Sequence, residues 1–91
     1  MRKMYQVIKR DGKITDFDLN KVSVAITKAF EAQNKQYVPA IIDMLTLRVT
    51  ADFENKIENN LVHVEDIQDS VEHVLEQSGY TDVAKAYILY R

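Results

Sequence analysis

Lys9-Arg10-Asp11-Gly12, with Lys21 shortly after, is the stretch of this sequence best equipped for chemistry. A lysine offers a point charge, and an arginine offers a planar fork that takes two phosphate oxygens at once. A glycine lets the backbone approach a ligand closely, and the amides of a tight turn can point at an anion. The chemistry on offer is therefore the holding of a small phosphate-bearing ligand. It is not a Walker loop, because no G-x-x-x-x-G-K-[ST] pattern is present. The competing reading is a solvated hairpin tip, where charged residues also belong.

Other candidate groups are weaker. His63 and His73 lie ten residues apart, which is not a metal-ligand spacing. Glu65, Asp66, Asp69 and Glu72 could attract magnesium, but such a set also makes an ordinary hydrated helix face. Ser70 and Ser78 have no histidine–acid partner in the pattern, so nucleophilic catalysis has no support. Tyr80, Tyr87 and Tyr90 recur at helical spacing and belong to a core or seam, although an aromatic face can also stack on an adenine ring. There is no cysteine, which excludes a disulfide framework, a cysteine zinc site and a thiol nucleophile, and fits a cytoplasmic setting.

Charge separates along the chain. Arg2, Lys3, Lys9, Arg10, Lys13 and Lys21 crowd the start, while most acids come later, around a net charge of −2. That balance disfavours general nucleic-acid binding, yet a local basic cluster suffices for one phosphate ligand. The 91 residues suffice for one domain, with 46% hydrophobic and 29% charged residues, an ordinary globular composition. No apolar run reaches the ~18 residues of a membrane helix, and the start lacks a signal-peptide core.

These groups must be positioned by local structure. Tyr5–Ile8 and Ile14–Phe17 are β-prone, and Asp11-Gly12 between them signals a two-residue hairpin turn. Val7, Ile14 and Phe17 can pack on what lies beneath. Asp18 is a good N-cap for a helix carrying Leu19, Val22, Ala25, Ile26, Ala29 and Phe30 on one face. Gln33–Gln36 reads as a loop, and Pro39 starts a second helix with a stripe of Val38, Ile41, Ile42, Leu45, Val49 and Phe53. Leu61–Val64 is either a third strand or the lead-in to a third helix, whose first turn holds Glu65 and Asp66 and whose inner face holds Ile67, Val71, Val74 and Leu75. Gly79 suits a left-handed C-cap, and Thr81 can cap a fourth helix bearing Val83, Ala84, Tyr87, Ile88 and Tyr90. The class is α+β and mainly helical: a four-helix bundle capped by a small N-terminal hairpin or three-stranded lid. The helical pattern runs on to Arg91 without a stop signal, so the expectation is an N-terminal domain, 1–91, of a longer protein.

The whole pattern resembles the ATP-cone family. The likeness runs through Val7-Ile8-Lys9-Arg10-Asp11-Gly12-Lys13-Ile14-Thr15-Asp16-Phe17-Asp18 and Leu19-Asn20-Lys21-Val22. It returns at Val64-Glu65-Asp66-Ile67-Gln68-Asp69 and closes at Asp82–Arg91; Gln33–Asn60 carries no family signature. The resemblance implies four helices under a small β lid and implies ATP or dATP, with magnesium, as allosteric ligand. It implies that Val7, Ile8, Lys9 and Arg10 meet the nucleotide, Asp11 and Gly12 shape the turn, Lys21 meets phosphate, and Arg91 lies near a basic position that reaches phosphate. Some relatives place a nucleotide-holding threonine where this chain has Val64. Two kinds of host are implied. One is a ribonucleotide reductase, in which ATP permits and dATP stops reduction, with the cone touching the catalytic domain and taking part in oligomerisation. The other is a transcriptional repressor of reductase genes, in which the cone follows a cysteine-rich zinc ribbon that is absent here. The pattern leans toward the reductases, and among them toward the anaerobic, glycyl-radical class. A plain helical interaction module without ligand is the reading from another class.

Overall fold

A computed structural model describes residues 5–91, so Arg2 and Lys3 of the basic cluster lie outside the described residues. The chain order is β1 (Gln6–Ile8), β2 (Ile14–Asp16), α1 (Leu19–Ala32), α2 (Pro39–Phe53), a 3-10 turn (Glu54–Lys56), β3 (Leu61–His63), α3 (Val64–Gln77) and α4 (Thr81–Tyr90). The four helices form a ring of contacts, each packing on two others, and the three strands lie in one sheet of order β2-β1-β3.

Each helix has an identifiable start and stop. Asp18 caps α1 by accepting a hydrogen bond from the Asn20 amide. Pro39 opens α2 at a position where its missing N–H is not needed. α3 ends in a Schellman motif: Gly79 takes φ +88°, and the Tyr80 amide donates to the Leu75 carbonyl. α1 ends the same way with Asn34 at φ +53° and the Lys35 amide donating to the Phe30 carbonyl. The fourth helix differs from expectation. Its N-cap is Tyr80, Thr81 is already helical, and the Tyr80 side chain makes no capping bond. The ring of Tyr80 instead packs on Phe30, 5.1 Å between centroids.

The core is apolar and continuous. Phe30, Ile26, Leu45, Val49, Phe53, Leu75 and Val83 are fully buried, and Val7 and Val62 extend the core into the sheet. Phe17 anchors β2 by stacking among Tyr5 and Phe53. Five residues expected on inner faces are exposed: Ile14, Leu19, Val38, Ile88 and Tyr90. Each sits at an element end or edge, where the stripe runs past the body it packs against.

Both turns of the sheet depart from the simplest reading. The hairpin pairs Lys9 with Lys13, the Gly12 amide donates to the Lys9 carbonyl, and of the loop residues only Gly12 has positive φ, +86°. This is a three-residue loop, Arg10-Asp11-Gly12, and not the two-residue primed turn that Asp-Gly suggests. The primed turn lies elsewhere. Asn59 and Asn60 take φ +53° and +62° between Glu58 and Leu61, whose amides and carbonyls exchange hydrogen bonds of 2.9 Å. That turn delivers Leu61–His63 into the sheet as a true strand, parallel to β1, with Val62 opposite Val7.

Candidate functional site

Strand alternation sorts the hairpin residues onto two sides. Val7 of β1 and Lys9 just past its end lie on one side of the sheet, and Thr15 lies opposite Val7 on β2. With Lys21, Val22 and Ala25 of α1, and Ile67, Val71 and Tyr87 beyond, they line a cleft of about 260 Å³ between the sheet and helices α1, α3 and α4. Its walls are mostly apolar. Lys9, Lys21, Asp16, Asp18 and Gln68 supply the polar groups. Tyr87 is buried in the wall and Tyr90 is half exposed at the edge. Burial pushes the Tyr87 phenol up to about 12, with Tyr90 and Asp69 adding to the rise and the Arg10 charge opposing it. The phenol therefore keeps its proton at neutral pH and can donate into the cleft.

A second hollow of about 250 Å³ lies against the first turn of α3, lined by Ile8, Lys9, Arg10, Gly12, His63, Val64 and Glu65. Lys9 and Val64 border both hollows. The α3 N-cap residue, His63, makes no side-chain capping bond, so the first-turn amides point outward beside this basic hollow. The geometry thus joins an apolar, ring-lined chamber to a basic, amide-rich one. Such a pair can hold a ligand with a flat heterocycle at one end and negative charge at the other.

The sequence candidates fall into three groups. Val7, Lys9 and Lys21 line the cleft; Ile8, Lys9, Arg10 and Gly12 line the basic hollow; Asp11 and Arg91 line neither. Asp11 closes the turn by accepting from the Lys13 amide at 3.0 Å. Arg91 is held by Asp69 at 3.2 Å and by Glu72. Arg10 donates to Gln68 Oε1 at 2.9 Å and lies 3.9 Å from Glu65. The four acids weighed as magnesium ligands are thus paired with cations, Asp66 with Lys56 at 3.8 Å. Among the described residues no group of three or more histidine, aspartate or glutamate side chains is placed to hold a metal. Sequence reasoning passed over Thr15, Asp16 and Gln68. Thr15 and Gln68 carried a detectable signal: Thr15 stands two residues before Phe17 in extended chain, and Gln68 stands three residues before Val71 on α3.

The fold and the two adjoining hollows leave room between sheet and helices for a small ligand with an apolar and a charged end. The family profile ATP cone domain matches residues 5–91, and the chain belongs to the ATP-cone family. The chain is 43% identical over 91 residues to ribonucleoside-diphosphate reductase subunit alpha of Chlamydia pneumoniae, covering 93% of this chain and 9% of that protein. It is 41% identical over 92 residues to vitamin B12-dependent ribonucleoside-diphosphate reductase of Thermoplasma acidophilum, covering 94% and 11%. Against the enzyme of that same name from Mycobacterium tuberculosis it is 34% identical over 88 residues, covering 94% and 12%. The chain therefore spans about a tenth of the length of these relatives. None of these names is that of the anaerobic class toward which the sequence leaned. The repressor and the ligand-free interaction module gain no support from them. No helix among the described residues is long and apolar enough to cross a membrane.

Proposed function

We propose that this domain is the activity switch of a ribonucleoside-diphosphate reductase, binding ATP or dATP and catalysing nothing itself. The base sits in the apolar cleft against Val7, Val22 and Tyr87. The phosphates run past Lys9 into the basic hollow, where Arg10 and the α3 amides take them, with Lys21 closing from α1. Val64, at the junction, offers no hydroxyl, so its contact with the ligand is through apolar surface alone. Magnesium arrives with the phosphates. The observation that carries this reading is the junction itself: one lysine, Lys9, borders both the apolar and the basic chamber.

The cleft alone lies just below the roughly 300–1,000 Å³ of small-molecule sites, and the two hollows together reach it. ATP permits and dATP stops the reaction of the parent enzyme, in the cytoplasm, through contacts of 1–91 with the catalytic part of a longer chain and with other copies. A switch of this kind needs a coupling of about 1–3 kcal/mol between ligand and partner surface. The test is calorimetric titration with ATP and dATP in magnesium buffer, comparing wild type with Lys9→Ala/Arg10→Ala. Each charge-assisted bond is worth about 1.5–3 kcal/mol, so the double variant should lose more than tenfold in affinity with its helical circular dichroism intact. Unchanged affinity contradicts the assignment.

A further inference from the structure

A hydrogen bond crosses the wall between the two hollows. Arg10 lines the basic hollow, Gln68 lines the cleft, and Arg10 Nη2 donates to Gln68 Oε1 at 2.9 Å. The bond ties the hairpin loop to the middle of α3, between residues 58 apart in sequence. Packing does little to fix this arginine. Its side chain is 55% exposed, and Glu65, one turn earlier on α3, stands 3.9 Å from Nε, beyond hydrogen-bond reach. A guanidinium carries several N–H donors in a rigid fork, so one bond to Gln68 orients the group and leaves the other donors for a ligand. The neutrality of the partner matters as much. Arg91, at the far end of the same helix face, is held by two carboxylates, Asp69 and Glu72, which offset its charge. Gln68 holds Arg10 through an uncharged amide.

We propose that Gln68 is a positioning residue: from the cleft side it sets the Arg10 guanidinium at the basic hollow with its charge intact, so that the two hollows serve one ligand. This rests on the nucleotide reading of the site. Fixing a long, half-exposed side chain before the ligand arrives removes an ordering cost that binding would otherwise carry. Gln68 acts through Arg10, so its loss is felt by a ligand with phosphates in the basic hollow. A ligand confined to the apolar cleft does not feel it. The effect of Gln68 also depends on Arg10 being present, which separates this role from a direct contact between Gln68 and the base.

The test is titration of this chain with ATP in magnesium buffer in four forms: wild type, Gln68→Leu, Arg10→Ala and the double variant. Adenosine is titrated into wild type and Gln68→Leu beside it. Leucine keeps the helix preference of glutamine and removes the acceptor. ATP binding should weaken about threefold to tenfold in Gln68→Leu, less than the full worth of a hydrogen bond to a charged group because the arginine is half exposed. The loss should vanish in the Arg10→Ala background, and adenosine should bind both forms alike. Unchanged ATP affinity in Gln68→Leu, with wild type binding normally, overturns the positioning role and leaves the nucleotide reading standing. So does a loss of the same size in the Arg10→Ala background, or an equal loss for adenosine, since either makes Gln68 a direct contact to the base. Absence of ATP binding in wild type removes the nucleotide reading, and the positioning role with it. If Gln68→Leu loses its helical circular dichroism, Gln68→Ala carries the same comparison.

Discussion

Asp52 and His73 tie α2 to α3 away from the ligand chambers, with 3.0 Å between Oδ1 and Nδ1. Burial works to raise the Asp52 carboxyl, but the nearby Ser70 hydroxyl, the hydrogen bond to His73 and the charges of His73 and Lys56 override it and hold it below the ordinary range. Ser70 Oγ is buried without a hydrogen bond of normal geometry, so His73 provides the close one. A depressed carboxyl contributes stability that is present above its unfolded value, about pH 4, and is lost as pH falls through the folded value. Thermal unfolding followed from pH 6 down to pH 2 should therefore show a steeper acid decline in wild type than in Asp52→Asn. Parallel curves would show that the pair contributes nothing. At this scale the sequence was partly legible. Lys9 and Lys21, singled out by type and neighbourhood, both line the cleft. The partners of Arg91, Arg10 and His73 did not, because each contact joins different elements and depends on how far the helices lean together.

At the scale of elements, turn chemistry decides whether the third strand exists. Asn59 and Asn60 both occupy the left-handed region, where a residue with a Cβ pays about 1–2 kcal/mol that asparagine partly recovers through local hydrogen bonding. Asn60→Ala should lower stability by about 1 kcal/mol in a denaturant titration, while Asn60→Gly should hold or raise it. Equal losses from both would mean that the asparagine side chain, and not its backbone freedom, matters. The helices were readable from period and caps: Asp18, Pro39 and Gly79 mark their ends where expected. The third strand was ambiguous because three residues are too few to show a period. Its identity is fixed by pairing with β1, which is a long-range fact. The Asp-Gly signal pointed to the right hairpin with the wrong loop, since glycine at the residue after a type I turn satisfies the same preference for positive φ.

At the scale of the molecule, the sheet is the part that needs support. Each strand has three residues, and a hairpin of that size is marginal in water. It is held by Val7, Val62 and Phe17 pressing on the helices, and by arginine contacts to α3. A ligand seated between sheet and bundle would add to both sides of that joint and stabilise the fold by RT ln(1 + [L]/Kd). On the proposed reading, α3 and α4 are the elements through which a bound ligand acts on the outer surface, since both line the cleft.

The most direct test of the central claim, a nucleotide with its base in the cleft and its phosphates at the hairpin, is an amide NMR map of this chain titrated with ATP. The account predicts that shifts concentrate at Val7, Lys9, Thr15, Val22, Gln68 and Tyr87, with the α3 first turn moving alongside them. Shifts centred instead on the exposed face of α2 that carries Met44 and Leu47, or no shifts at saturating ATP, would contradict it.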